Sequence, residues 1–154
     1  MKKINFVTSF NETILKNIGH HFLNSINEQW EPKLPLTCYH HDCKIDSYSL
    51  PNNSISYRDL STLENYKTFK ENNSQHNGTE GAQIPYNIKL DSLKWCHKVF
   101  ALTEHAFELA EKNADAGWLI WIDADSYAQK RFVLEDVLKM LPDNVDIAYS
   151  GIRK

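Results

Sequence analysis

Two carboxylates stand one residue apart, directly after a long apolar run in this chain. Asp123 and Asp125 follow residues 118–122, which read Trp-Leu-Ile-Trp-Ile. Such a run predicts a strand buried on both faces, where an unpaired charge would cost too much free energy. Both carboxylates are therefore expected where the strand leaves the sheet, which is where ligands bind in open α/β sheets.

A carboxylate pair at that place could do metal chemistry. Carboxylate oxygens are ligands that Mg²⁺ and Mn²⁺ prefer, and a cation held by Asp123 and Asp125 can in turn hold phosphate oxygens. The alternative is a turn in which Asp123 caps the next segment and Asp125 is solvated. The position of the pair directly after a buried strand favours metal or nucleotide binding.

The elements that must position this pair alternate along the chain. Hydrophobic periodicity predicts, in order, strand 3–10, helix 11–27, strand 34–40, helix 59–70, helix 90–112, strand 118–122, helix 132–141 and strand 146–150. Asn11 and Asp91 are the predicted N-caps of the two longer helices, with Ser92 as a one-residue alternative to Asp91. The alternation predicts a single α/β domain over 1–154, with a Rossmann-like, mostly parallel sheet flanked by helices. Because the last strand comes just before the end of the chain, the domain is expected to be incomplete at its C-terminus.

Helix 90–112 carries further candidates. Lys94 and Lys98 are four residues apart and share one helix face, which His105 extends. One of these lysines could reach a diphosphate, the alternative being an ordinary solvated face. The buried face is predicted by apolar residues at three- and four-residue spacing, among them Cys96, Val99, Phe100 and Phe107.

The end of the first strand is another candidate. Parallel pairing would place Thr8, Ser9 and Phe10 beside the carboxylates. Their hydroxyls and aromatic face could bind a ribose and a base, the alternative being an ordinary strand-to-helix turn. Residues 38–43, Cys-Tyr-His-His-Asp-Cys, hold several metal-ligand types, but strand alternation divides them between two faces and their spacing is not that of a zinc finger.

The composition excludes some classes of protein. With 17 Lys and Arg against 20 Asp and Glu, the net charge is −3, which gives no electrostatic case for binding nucleic acid. No apolar run approaches the ~20 residues of a transmembrane helix. The N-terminal apolar stretch is too short and polar for a signal peptide, and three cysteines are too few for a disulfide scaffold, so a cytoplasmic location is expected.

The strand followed by Asp123-Ala124-Asp125-Ser126 resembles the Asp-x-Asp motif of glycosyltransferases with the A-type (GT-A) fold. Residues 3–10 also resemble the opening strand of that fold, and residues 91–102 are similar to the helix that precedes the motif. The resemblance implies a nucleoside-diphosphate sugar donor, with Mn²⁺ or Mg²⁺ as the cofactor.

The resemblance also implies roles for the candidate residues. Asp125 would bind the metal, and Asp123 would contact the metal or the ribose. The turn after the first strand would hold the nucleoside, with Asp42 near the nucleobase. The acceptor (a glycan, a lipid or a protein) and the catalytic residue stay unknown. Such enzymes supply the catalytic base from sequence after the motif, where this chain has no histidine.

One alternative to this assignment stays open, and two others are disfavoured. A non-catalytic or truncated nucleotide-binding module would share the same fold. Haloacid-dehalogenase-like phosphatases also carry Asp-x-Asp, but on the first core strand and with much more chain after it. A nucleotidyltransferase would need a glycine-rich, basic loop after the first strand, and residues 10–13 read Phe-Asn-Glu-Thr.

Overall fold

A parallel four-stranded sheet forms the centre of the fold. The computed structural model describes residues 3–31, 34–45, 54–79, 85–112 and 117–142. The strands are β1 (Ile4–Asn11), β2 (Leu36–His41), β3 (Ile55–Asp59) and β4 (Trp118–Trp121), in the order β3-β2-β1-β4. All three strand pairs are parallel, so the predicted α/β class is confirmed.

Helices cover the two faces of this sheet. The helical elements are α1 (Glu12–Ile14), a π-helical turn (Leu15–Gly19), α2 (His20–Gln29), α3 (Glu64–Asn72), α4 (Ser92–Glu111) and α5 (Leu134–Met140). Both predicted caps are confirmed. The backbone N–H of Ile14 donates to Oδ1 of Asn11 over 2.8 Å, and the N–H of Lys94 donates to Oδ1 of Asp91 over 2.8 Å.

Alternation along β1 divides the core into two layers. Phe6 and Phe10 pack on one face with α2 and α5, whereas Val7 packs on the other face with α3 and α4. The first layer also holds Ile4, Leu15, Phe22, Leu23, Ile26, Trp30, Leu36 and Val137, and the second holds Tyr39, Leu60, Tyr66, Cys96 and Ala101. Burial on both faces gives the central strands the near-continuous apolar sequences from which they were predicted.

The buried face of α4 was predicted only in part, since Cys96 and Phe100 pack inward as expected but Val99 and Phe107 do not. Its fully buried residues are Cys96, Ala101 and His105, whereas Val99 and Phe107 are 61% and 63% exposed. An apolar stripe wider than the contact with the sheet does not by itself reveal which side of the helix faces inward. Burial of the small Ala101 lets α4 lie close to β1.

Two elements of the middle segment also differ from the prediction. β3 was not predicted, because residues 55–59 (Ile-Ser-Tyr-Arg-Asp) are only half buried at the edge of the described sheet. The helix expected from residue 59 begins at 64, because Asp59 first caps a 3₁₀ turn (Leu60–Thr62) by accepting the N–H of Ser61 over 2.8 Å. The strand predicted over 146–150 lies outside the described residues.

Within the residues placed by the structure, no helix combines the length and the apolar character needed to cross a membrane.

Candidate functional site

The strand order places a topological switch point beside β1. The chain passes from β1 to β2 and then to β3 on one side, whereas β4 pairs with the other side of β1. The direction of winding therefore reverses between β1 and β4. Ligands of open α/β proteins bind at such a reversal, outside the carboxyl ends of the strands.

The Asp-x-Asp segment follows directly from the carboxyl end of β4. The last ladder bond runs from the N–H of Ile122 to the carbonyl of Val7 over 3.0 Å, so β1 continues past this level by the residues from Thr8 to Asn11. Asp123 then begins a turn, in which its carbonyl accepts the N–H of Ser126 over 3.0 Å. Both carboxylates are exposed at this edge, whereas Ala124 between them is buried in the core.

Asp123 is held by two groups on the α4 side of the sheet. The indole Nε1 of Trp121 donates to its Oδ1 over 2.6 Å, and Nζ of Lys98 lies 3.7 Å from the same oxygen. Lys98 also lies over the indole, with its Nζ 4.7 Å from the ring centroid. This triad of Lys98, Trp121 and Asp123 was not predicted as a unit, although Trp121 and Asp123 are two residues apart, a spacing that places side chains on one face of a strand.

The three candidates at the end of β1 are not equally accessible. Thr8 and Phe10 are 0% and 1% exposed, because alternation turns their side chains into the core layer of Phe6. Within the described residues, the hydroxyl of Thr8 has no hydrogen-bond partner. Ser9, of opposite orientation, is half-buried. In this conformation a ligand could reach Ser9. The burial of Thr8 and Phe10 argues against direct contacts between a ligand and their side chains.

Among the described residues, neither Asp42 nor Lys94 makes a hydrogen bond or ion pair with the triad. Asp42 follows β2 with a φ of 50°, and its largely exposed carboxylate is 3.7 Å from Nζ of Lys70. Because β2 pairs with β1 on the side opposite to β4, Asp42 flanks the site from across the central strand. Lys94 is exposed in the first turn of α4 and makes no ion pair within the described ranges.

His105 is not part of an exposed polar face with the two lysines. It is 7% exposed, and its ring meets Tyr39 edge-on at 6.3 Å between centroids. Burial lowers the pKa of His105. It lies two turns after Lys98, roughly 10 Å further along α4, and so away from the carboxyl edge of the sheet.

A second cluster at this edge joins three elements. The rings of His41, from β2, and His97, from α4, stack at 3.6 Å between centroids with an interplanar angle of 21°. The hydroxyl of Tyr66, from α3, lies 3.0 Å from Nδ1 of His97. Burial lowers the pKa of His41 to about 4, and burial together with the charge of His41 lowers the pKa of His97 to about 3. Both imidazoles are therefore neutral near pH 7. No local sequence signal links three residues so far apart.

The described residues fit a divalent cation only in a limited way. Among them, no group of three or more His, Cys, Asp or Glu side chains could hold a metal ion, and this includes Cys38 to Cys43. The hard oxygens of Asp123 and Asp125 match a Mg²⁺-like ion that keeps several waters and takes substrate phosphates as further ligands. The donor set thus suits a cation that arrives with a diphosphate.

The chain was also compared with known proteins. No family model matches it, and no curated protein sequence matches it significantly.

Proposed function

We propose that this chain is the nucleotide-sugar-binding part of a glycosyltransferase that uses Mn²⁺ or Mg²⁺ and a nucleoside-diphosphate sugar. The observation that carries the proposal is the position of the Asp-x-Asp segment. It leaves β4 at the carboxyl edge of a parallel sheet, at the point where the strand order reverses. The donor sugar, the acceptor (a glycan, a lipid or a protein) and the cytoplasmic location stay predictions.

The proposal gives each accessible residue a role. Asp125 is solvated and makes no ion pair within the described residues, so its carboxylate is available to the cation. Asp123 has one oxygen engaged by Lys98 and Trp121, and it contacts the cation or the ribose with the other. Ser9 contributes a hydroxyl from the end of β1. Asp42, at the end of β2, lies on the side proposed for the nucleobase.

The chemistry of sugar transfer suits this arrangement. Breaking the bond between the sugar and the diphosphate builds negative charge on the leaving oxygens. A bound divalent cation would stabilise that charge as a Lewis acid. Lys98, close to Asp123 and about half exposed, can place an ammonium near the same oxygens. No catalytic base is assigned to the described residues.

The order of the strands argues against the phosphatase alternative. In that class the Asp-x-Asp segment follows the first core strand. Here it follows β4, whereas β1 leads into Asn11, which caps α1.

Calorimetry tests the proposal directly. Titration of the chain with a panel of nucleoside diphosphates, with and without Mn²⁺, should show affinity for at least one of them that depends on the cation. Asp125→Asn should abolish this affinity while the circular dichroism spectrum is retained. Asp136→Asn, which removes an exposed carboxylate of α5, is the matched control and should bind like the parent chain. Absence of any cation-dependent nucleotide binding would remove the proposal and leave a module of another function.

A further inference from the structure

The triad of Lys98, Trp121 and Asp123 places a cation of the protein beside the carboxylate proposed to face the metal. Nζ of Lys98 is 3.7 Å from Oδ1 of Asp123 and 4.7 Å from the centroid of Trp121. The side chains of Lys98 and Asp123 are 45% and 51% exposed, so the pair borders solvent and can be opened by a ligand.

This arrangement sets two cations in competition. A divalent ion on Asp123 would lie close to the Lys98 ammonium, and like charges a few ångströms apart repel each other. Lys98 must therefore move away, or the carboxylate binds the ion less tightly. A diphosphate changes this balance, because its oxygens offer the ammonium a stronger anionic partner than one carboxylate does.

We propose that Lys98 is an internal counterion of Asp123 that makes binding of the cation and of the diphosphate cooperative. This inference rests on the proposed function. Without a diphosphate, Lys98 stays on Asp123 and weakens cation binding. With a diphosphate, Lys98 moves to the phosphate oxygens and leaves Asp123 to the cation. The coupling is reciprocal, because each ligand favours the same displaced position of Lys98.

Two substitutions, each of which removes one positive charge, distinguish this role from a general charge effect. Lys98→Met removes the ammonium and keeps much of the aliphatic stem over Trp121. Lys94→Met removes an exposed ammonium one turn earlier on α4, for which the described residues show no ion pair. The probes are Mn²⁺ alone and Mn²⁺ with inorganic pyrophosphate, both followed by calorimetry on the full chain.

The two affinities should move in opposite directions. Lys98→Met should bind Mn²⁺ alone roughly two- to fivefold more tightly, as expected for release from one exposed ion pair. It should bind the Mn²⁺–pyrophosphate complex more weakly than the parent chain, because the phosphate oxygens lose their ammonium partner. Lys94→Met should leave both affinities within about twofold of the parent chain. If Lys98→Met acted only through lost packing, the affinities for Mn²⁺ and for Mn²⁺–pyrophosphate would both weaken.

The Trp121 indole provides a readout that needs no catalysis. Its Nε1–H resonance can be assigned with Trp121→Phe, and Mg²⁺–pyrophosphate should shift it in the parent chain toward its position in Lys98→Met. Unchanged or weaker Mn²⁺ binding in Lys98→Met, with cation-dependent nucleotide binding intact in the parent chain, would overturn the inference and leave the proposed function standing. A parent chain that binds neither Mn²⁺–pyrophosphate nor any nucleoside diphosphate would overturn both.

Discussion

The indole Nε1–H of Trp121 donates to Oδ1 of Asp123 over 2.6 Å, which joins the last residue of β4 to the first carboxylate of the Asp-x-Asp segment. The two residues share a strand face, so the bond needs little adjustment of the chain. A hydrogen bond to a carboxylate fixes its orientation more firmly than solvent does. Trp121 is therefore a positioning residue of the candidate site.

Trp121→Phe should leave the Asp123 carboxylate less firmly oriented without creating a cavity beside it. The phenyl ring keeps most of the apolar contact but has no donor. We expect a loss of about 0.5–1.5 kcal/mol in the free energy of unfolding, measured with urea. Cation-dependent nucleoside diphosphate binding should weaken as well, because Asp123 samples more orientations.

Trp118→Phe is the control for this substitution. Trp118 lies on the same strand, but its odd-numbered separation from Asp123 places it on the other face. Trp118→Phe should therefore leave nucleotide binding unchanged. Equal effects of the two substitutions on binding would show that the indole of Trp121 has no special role.

The stacked pair of His41 and His97 should make the fold sensitive to mild acid. Burial lowers the pKa of His41 to about 4 and is also the main reason why the pKa of His97 is about 3, whereas unfolded histidine titrates near 6.5. The unfolded chain therefore binds more protons than the folded chain below about pH 6.5. Stability from this pair is complete above that pH and falls as the pH drops toward 4. Between pH 7 and pH 5, we expect a loss of about 1–2 kcal/mol per histidine.

Urea unfolding at pH 7, 6 and 5 measures this dependence. His97→Phe keeps an aromatic ring against His41 and removes one titrating group. Its free energy of unfolding should therefore decline less between pH 7 and pH 5 than that of the parent chain. His76→Gln, which removes an exposed histidine, should decline like the parent chain. A parallel decline in all three chains would assign the acid sensitivity to other groups.

The central strands and the caps were predictable from the sequence because each rests on a local pattern. The strand ending at Phe10 is buried on both faces, which leaves a nearly continuous apolar sequence. The run 118–122 was also predicted to be buried on both faces, but β4 is only partly buried, with Ile120 against one core layer and Trp121 against the other. Asn11 and Asp91 cap helices through bonds to residues three positions later. β3 escaped prediction because a half-buried edge strand needs few apolar residues.

The site was predictable only in part. Position directly after an apolar run was enough to select Asp123 and Asp125, and helix spacing selected Lys98. Sequence spacing could not show that Lys98 pairs with Asp123 whereas Lys94, on the same helix, does not. That difference depends on how α4 packs against β4, which local spacing does not fix. The stack of His41 on His97 depends likewise on the packing of β2 against α4.

Gly117→Ala should separate β4 from β1 and so disturb the segment that carries the carboxylates. The carbonyl of Lys3 accepts the N–H of Trp118 over 2.8 Å, and a Cβ on Gly117 would overlap that carbonyl oxygen. Since backbone cannot turn aside as a flexible side chain can, the start of the β1–β4 ladder must move. We expect a loss of about 2–3 kcal/mol in the free energy of unfolding. Gly19→Ala is the control, because its Cβ would come no closer than 3.3 Å to any neighbour, and it should change stability far less. Equal stability of Gly117→Ala and the parent chain in urea would show that β4 does not pair with β1 in this register.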